Sequence, residues 1–588
     1  MALIAADAAD AADAPRRGFE DVTAKAGVAA PHHNRQFHNH YAEIMAGYTA
    51  LGAAAAVADF DGDGWEDVFV TDSAETGKNH LYRNRFGETG ELTFTDVGPQ
   101  AGVADGNDAA NATADALWLD YDNDGRPDLF VVRFGHSQLF HNLGNGRFQE
   151  VTKPAGLDRY ANSITAIAFD YDRDGRLDLM VGNYFQPVNL FNPDTPRFFP
   201  ESFETANNGG GVTLWRNNGD GTFSDVTQKA GLVLSGWTLD VGHGDFDNDG
   251  DDDLYVACDF GTDRFFVNNG DGTFTDRTKA AVGIDTKKGM NAEWGDYDND
   301  GLLDVFVTNI TDDYMREGNF LWRNNGDGTF SDVARETGVY DSGWGWGGKF
   351  LDYDNDGWLD LYVVNGWVSA GAESYVPDVF AMITRPNVDL TDARSWPPMG
   401  RKSLSGYQKK RLFHNQNGTF RDEAPLHGVD STRDGRGVAV ADFDRDGRLD
   451  LFVANANAAP YLYRNVMSAG APGPHWAGFL LEGRKSNRDA VGAQLRATTG
   501  GHTQLRFVNG GNGFAGQSSH RVHFGLAGAA MIDRLEVRWP SGARQTFEKV
   551  PADRLYRIVE GEAELKPFPV SPAITASTAS TAKIPKKK

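Results

Sequence analysis

The chain has 588 residues, with 83 Asp and Glu against 56 Lys and Arg, a formal charge of −27. That excess repels nucleic-acid phosphates and anionic lipid, and no apolar run of about 18 or more residues is available to span a bilayer. One cysteine, Cys258, excludes a disulfide framework and multi-Cys metal centres, while 69 glycines without collagen periodicity point to repeated tight turns. Residues 1–17 hold neither a basic n-region nor an apolar stretch long enough for a secretory signal, and are expected to be a flexible N-terminus. GFEDVTAKAGV (18–28) reads as half a hairpin without its partner. The following connection (31–52) gathers His32, His33, His38 and His40, which suits either transition-metal or proton chemistry or a plain polar loop.

Seven segments then repeat Asp-x-Asp-x-Asp-Gly-x-x-Asp ahead of a β-branched or aromatic strand. Their carboxylates are Asp59, Asp61, Asp63 and Asp67; Asp120, Asp122, Asp124 and Asp128; Asp170, Asp172, Asp174 and Asp178. The later copies hold Asp245, Asp247, Asp249 and Asp253; Asp296, Asp298, Asp300 and Asp304; Asp352, Asp354, Asp356 and Asp360; and Asp442, Asp444, Asp446 and Asp450. Carboxylates at alternate positions of a tight loop converge, and a fourth closes the cage from the next strand. A hard cation with six to eight oxygen ligands fits such a cage, so up to seven Ca²⁺ are expected, Mg²⁺ being less suited to dense protein cages. Without a cation the carboxylates would repel one another.

A second motif interleaves with the first: LYRN (81–84), LFHNLGNGRFQEVT (139–152), LWRNNGDGTFSDVT (214–227), FFVNNGDGTFTDRT (265–278), LWRNNGDGTFSDVA (321–334) and LFHNQNGTFRDE (412–423). Two short strands joined by Asn-Gly-Asp-Gly or a similar turn make a hairpin. Inner strand, acidic loop, second strand and hairpin make a four-stranded blade. The seven copies predict an all-β, seven-bladed β-propeller over 18–465, one domain closed by pairing YLYRN (461–465) with the strand at 18–28.

Two long insertions, 183–211 and 366–410, interrupt the blades on the side opposite the acidic loops and are expected to roof the central channel together with 31–52. The inner strands place polar and aromatic groups toward that channel. Glu293, His243 and Lys349 form a candidate acid–base set, with Trp237, Asp240, Asn291, Trp344, Trp346 and Arg436 as candidate substrate contacts. The opposing reading is that these tryptophans and glycines pack blade against blade. No nucleophile-elbow, P-loop, dinucleotide-binding or His-Glu-x-x-His motif is present.

The acidic repeats resemble FG-GAP (VCBS-type) calcium repeats, known from integrin α-subunit propellers and bacterial secreted proteins. The resemblance implies that the four Asp of each repeat bind Ca²⁺ with a backbone carbonyl at the seventh loop position. It also implies that ligand-binding loops occupy the opposite face. VGAQLRATTGG (491–501), GNGFAGQSSHRVHFGL (511–526) and RLEVRWPSGARQTF (534–547) are similar to the ASPIC/UnbV domain, which implies a small β-domain over 475–562 followed by a disordered tail (563–588). The expected function is a binding or scaffolding module outside the cytoplasm, with calcium mainly structural. Its partner would be a protein, a glycan or a small molecule. The alternative is an enzyme of bacterial secondary metabolism that folds and cyclises a substrate under the roof, an association carried by enediyne gene sets.

The charge divides along this boundary. Residues 466–588 hold 17 Lys and Arg against 9 Asp and Glu, leaving −35 on residues 1–465. Twenty-eight of the acids are loop aspartates, so much of the acidity is reserved for metal and says little about partners.

Overall fold

In the computed structural model, residues 18–42, 44, 52–467 and 473–568 are described. The expected residues 1–17, most of the tail and part of the 31–52 connection fall outside them. The fold is nearly all-β. Its strands group into four-stranded antiparallel units, each opening on an inner strand, running through an acidic loop to a second strand and ending in a hairpin. The seven inner strands are Ala55–Ala58, Ala112–Leu119, Tyr160–Phe169, Trp237–Gly244, Glu293–Gly295, Gly345–Leu351 and Gly435–Ala441. Each neighbours the next, and the last neighbours the first, so they surround a central channel. The second and third units are further joined by a short pairing of Tyr160 with His136.

The expected closure is found. Phe19–Asp21 pairs antiparallel with Tyr461–Asn465, with Phe19 opposite Asn465 and Asp21 opposite Tyr463. Both chain ends of the propeller are thereby held in one sheet with no unpaired outer strand on Tyr461–Asn465.

A second lock recurs seven times, and its residue stands in plain view in the repeats. The asparagine ending each third strand donates its side-chain amide to the carbonyl of the aromatic residue inside the preceding unit's acidic loop. Asn142 reaches Phe60 (2.8 Å), Asn217 Tyr121 (2.7 Å), Asn268 Tyr171 (2.9 Å) and Asn324 Phe246 (2.7 Å). Asn415 reaches Tyr297 (2.9 Å) and Asn465 Tyr353 (2.7 Å), and Asn84 closes the ring on Phe443 (2.9 Å). Each backbone N–H of these asparagines also donates to the fourth aspartate of its own loop, as Asn217 does to Asp178 at 2.7 Å. Blade contact and acidic loop are thus coupled through one residue. Asn217→Ala removes the bonds to Tyr121, to Leu177 (3.0 Å) and from Gly219 (3.0 Å) and leaves buried partners unpaired. Urea unfolding should show a loss of about 3 kcal/mol.

The C-terminal residues form two packed four-stranded sheets. One runs Val522–Ala527, His475–Glu482, Arg554–Val559, Lys566–Pro567; the other His502–Phe507, Gln494–Thr499, Met531–Arg538, Arg544–Pro551. Alternating Leu535 and Val537 lie buried with Phe479, Phe524 and Tyr556 between the sheets, while Trp539 is also buried. Strand pairing extends to Lys566–Pro567, past the expected limit at 562, and the Phe568 N–H bonds Leu555 at 2.8 Å. The first residues of the expected disordered tail are therefore an edge strand.

Acidic loops, a filled channel and a roofed cavity

The loops fold because aspartate is both ligand and turn former. In the second loop the Asp120 carboxylate accepts the N–H groups of Asp124 (3.0 Å) and Gly125 (2.7 Å), and Asp128 accepts that of Asn142 (2.7 Å). The fourth loop position takes a left-handed conformation, occupied by Gly62, Asn123, Asn248, Asn299 and Asn355 and also by Arg173 and Arg445. Carboxylate oxygens of Asp59, Asp61 and Asp67, of Asp120, Asp122 and Asp128, and of Asp170, Asp172 and Asp178 lie within 4.8 Å of one another.

Two observations test the fit to a cation. Buried oxygens of Asp59 (Oδ1), Asp128 (Oδ2), Asp172 (Oδ1) and Asp298 (Oδ1) accept no hydrogen bond. Burial, reinforced by neighbouring carboxylates, pushes Asp59, Asp170 and Asp296 up to about 7 and Asp128 to about 9. Such oxygens gain from a divalent ion what they lose from water. The donor set is all oxygen, which suits Ca²⁺. A cationic side chain stands over most loops at the position before the bridging asparagine: Arg83 on Asp63 (2.7 Å), Arg216 on Asp172 (2.7 Å) and Arg323 on Asp298 (3.0 Å). In the second and sixth loops a histidine takes that place, His141 at 3.2 Å from Asp128 and His414 at 3.1 Å from Asp360. Hydrogen bonding to Asp360 raises His414 to about 9.

The C-terminal domain sits on this acidic face. Arg521 donates to Gly64 O (2.7 Å) and pairs with Glu66 (2.9 Å) at the first loop; the Arg488 N–H reaches Asn123 (2.8 Å) at the second. Arg496 spans Asn248 (2.9 Å) and Gly301 (3.1 Å), Arg538 bonds Asn248 O (2.8 Å) and Asp245, and His523 bonds Asn355 (2.6 Å). The basic region identified by composition thus meets the charge that composition left unassigned.

From that domain, residues 509–518 enter the channel. Gly516–Gln517 adds in parallel to the first inner strand. Asn512 bonds both the N–H (2.9 Å) and the carbonyl (2.8 Å) of His243, and Gln517 both the N–H (2.7 Å) and carbonyl (2.9 Å) of Trp118. Each side-chain amide replaces a missing strand partner. A Cβ on Gly510 would stand 1.6 Å from Ala168 O, and one on Gly516 2.1 Å from Val438 O, so only glycine allows the approach.

The candidate acid–base residues do meet in the channel, but this insertion takes up their polar atoms. Lys349 donates to Asn512 O and lies 3.3 Å from Glu293, which burial raises to about 7. His243 accepts the Gly510 N–H at Nε2 (2.8 Å), which places its proton on Nδ1 facing Asp252 (2.9 Å). All three are buried. Of the substrate candidates, Asp240 accepts the Ala292 N–H (2.8 Å) and the Thr165 hydroxyl (3.0 Å). Asn291 accepts the N–H groups of Gly348 (2.9 Å) and Phe514 (3.0 Å). Trp237 is fully buried with its indole N–H on Asn208 (3.0 Å), and Arg436 lies over Trp346 (4.4 Å), donating to Gly366 O at 2.8 Å. These four hold structure together.

Trp344 and Trp346 instead line a cavity of about 290 Å³ at the opposite end of the channel. Its roof comes from the sixth-unit insertion, which forms the helix Val376–Ile383 where an irregular loop was expected, and from Phe203 of the third-unit insertion. Trp367 and Trp396 join from the insertion, and Tyr184, Asp259 and Lys288 from below. Trp367 and Trp396 escape a sequence reading because the insertion carries no repeat pattern, and Tyr184 and Asp259 because they lie near the far ends of second strands, past the acidic signature. The histidines do not assemble there or into a shared site. His32 is buried, lowered to about 3 by burial, and bonded to Ser73 (3.0 Å); His33 pairs with Asp72 (2.8 Å); His38 and His40 are exposed.

The family comparisons agree with this architecture. The FG-GAP-like repeat family matches residues 120–181, 203–256, 245–307, 296–363 and 403–453, and ASPIC and UnbV matches 483–565. The chain carries FG-GAP-like repeats and a C-terminal ASPIC/UnbV domain. The first repeat lies outside the matched residues yet carries the same loop. Cartilage acidic protein 1 of Xenopus tropicalis is 29% identical over 272 residues, covering 42% of this chain and 40% of that protein. The Homo sapiens protein is 27% identical over 274 residues, covering 41% and 40%. The chain therefore aligns with less than half the length of these relatives. A solved Agrocybe aegerita lectin, described as recognising non-reducing terminal N-acetylglucosamine, is 17% identical, covering 69% of this chain and 87% of that one at a TM-score of 0.34. Among the described residues no helix is long and apolar enough to cross a membrane.

Proposed function

We propose that the protein is a calcium-stabilised binding module whose working surface is the roofed face. Calcium held by the seven loops makes a rigid floor; the ASPIC/UnbV domain rests on that floor and fills the channel. Ligand then enters from the opposite side only. The observation that supports this most is the division of the channel: an inserted segment hydrogen-bonded on all sides at one end, and an aromatic cavity of about 290 Å³ at the other. Glu293, His243 and Lys349 serve in this reading as the seat of the inserted segment and not as acid–base catalysts, because their polar atoms are already paired.

A neutral apolar fluorophore, N-phenyl-1-naphthylamine, tests the reading. The FG-GAP repeat protein should enhance its emission with saturable, one-to-one stoichiometry. The double variant Trp344→Ala, Trp396→Ala should lose at least about tenfold in affinity through lost aromatic surface, at full calcium content. Unchanged binding by that variant would refute the roofed face as the binding site. Glu293→Gln is expected to leave probe binding unaltered.

A further inference from the structure

The cavity under the roof has walls that are almost wholly apolar, with Trp344, Trp346, Trp367 and Trp396 among aliphatic, phenylalanine and methionine side chains. Its rim carries Phe203, Phe380 and Ile383, which are 41%, 45% and 44% exposed. Large apolar side chains left this open around an apolar cavity mark a ligand surface. The question is what the ligand carries at its polar end.

Two ionisable side chains line the cavity, and they are not equivalent. Lys288 is buried, lies 3.4 Å from Glu317 and donates to Thr286 O at 3.2 Å, so its charge is answered within the protein. Asp259 is only partly buried, and among the described residues it has no cationic partner within 4.0 Å. The Tyr184 hydroxyl donates to its Oδ2. Burial raises Asp259 to about 6 while Lys288 draws it down, so at neutral pH Asp259, Glu317 and Lys288 carry one net negative charge between them. Trp344 and Trp367 stack on each other (4.2 Å) and Trp346 already carries the Arg436 guanidinium (4.4 Å), so the aromatic walls offer an apolar seat that tolerates a cation, and Asp259 supplies the opposite charge.

We propose that this cavity binds an apolar organic cation, an amine or quaternary ammonium on a ring-sized body, with the charge facing Asp259 and the body against Trp344, Trp346, Trp367 and Trp396. An anion would meet Asp259 directly, and a neutral body would forgo the electrostatic part of the site. The inference rests on the roofed face being the binding face, and the test separates the two.

Equilibrium dialysis of three matched compounds provides that test: 2-naphthylmethyl-trimethylammonium, its neutral isostere 2-neopentylnaphthalene, and 2-naphthylmethanesulfonate. The wild-type protein should bind the cation at least about tenfold more tightly than the neutral compound, and the sulfonate most weakly. Asp259→Asn should bring the cation down to the affinity of the neutral compound and leave the latter within about twofold. The wild-type ratio is decisive even if that variant folds poorly. Equal affinity for cation and neutral compound, both lost in Trp344→Ala, would overturn the cation assignment and leave the binding face standing. Binding of none of the three, or binding indifferent to Trp344→Ala, would overturn both.

Discussion

Transfer into excess EGTA should lower the melting temperature of this protein by about 20 °C or more. A ligand that binds only the folded state at about 100 times its dissociation constant contributes about 2.7 kcal/mol per site, so seven filled loops contribute about 19 kcal/mol. Large domains shift by a few degrees or less per kcal/mol, which gives the stated range. The loops do not stand alone: each fourth aspartate holds the N–H of an asparagine that bridges to the neighbouring unit, as Asp178 holds Asn217. Removing the ion therefore loosens contact between blades as well as the loop itself. pH supplies a second signature. In the metal-free state burial raises Asp59, Asp170, Asp296 and Asp360 to about 7 and Asp128 to about 9. A carboxyl whose pKa is raised by folding favours the folded state fully below the unfolded value near 4 and loses that contribution as pH rises through 7 to 9. Metal-free protein should accordingly melt lower at pH 9 than at pH 6. Calcium-loaded protein should show the opposite trend, because protons compete with the ion as pH falls. Identical pH profiles for calcium-loaded protein and for EGTA-treated protein shown to be metal-free would contradict this.

Gly516→Val should detach the ASPIC/UnbV domain from the propeller, with a docking loss above about 4 kcal/mol. The added Cβ would lie 2.1 Å from Val438 O, a backbone atom of the inner strand Gly435–Ala441, and backbone cannot move aside cheaply. The parallel pairing of Gly516–Gln517 with Ala55–Ala56 would break, and with it the Gln517 clamp on Trp118. Asn512→Ala is the milder companion. It leaves the His243 N–H and carbonyl without partners at the channel's centre and should cost about 2–4 kcal/mol. Hydrogen exchange should show increased exchange across 509–518 and in the loops touched by Arg496 and Arg521, with small-angle scattering reporting a larger radius of gyration. Unchanged exchange in Gly516→Val would mean that the segment does not hold the domains together.

The acidic loops and the closure of the ring were legible because each repeat carries its whole device locally: four aspartates, a turn glycine and the strand that follows. The bridging asparagines were also printed seven times in the sequence, as in LYRN and LWRNN, but their partners lie in the neighbouring unit and no local pattern reveals that. The channel shows the limit more sharply. Glu293, His243 and Lys349 lie on inner strands, which line a propeller's centre; Lys349 stands 3.3 Å from Glu293 and shares Asn512 with His243. What fills the space between them comes from a glycine-rich stretch 269 residues from His243, which by composition reads as an ordinary loop. Four buried glycines and two amides make it a structural insert. Trp346 follows from the strand register and Trp344 immediately precedes that strand, whereas Trp367 and Trp396 lie in the irregular insertion; Asp259 sits near the far end of the regular strand Asp253–Phe260, where the repeat pattern singles out no residue.

Elemental analysis of calcium per chain, after dialysis against micromolar free Ca²⁺, tests the central claim most directly. The wild-type protein should hold close to seven ions, and about one fewer when Asp128 and Asp120 of the second loop are both changed to Asn, with the other loops still filled. Protein that keeps its folded state and its docked C-terminal domain while retaining no calcium would contradict it.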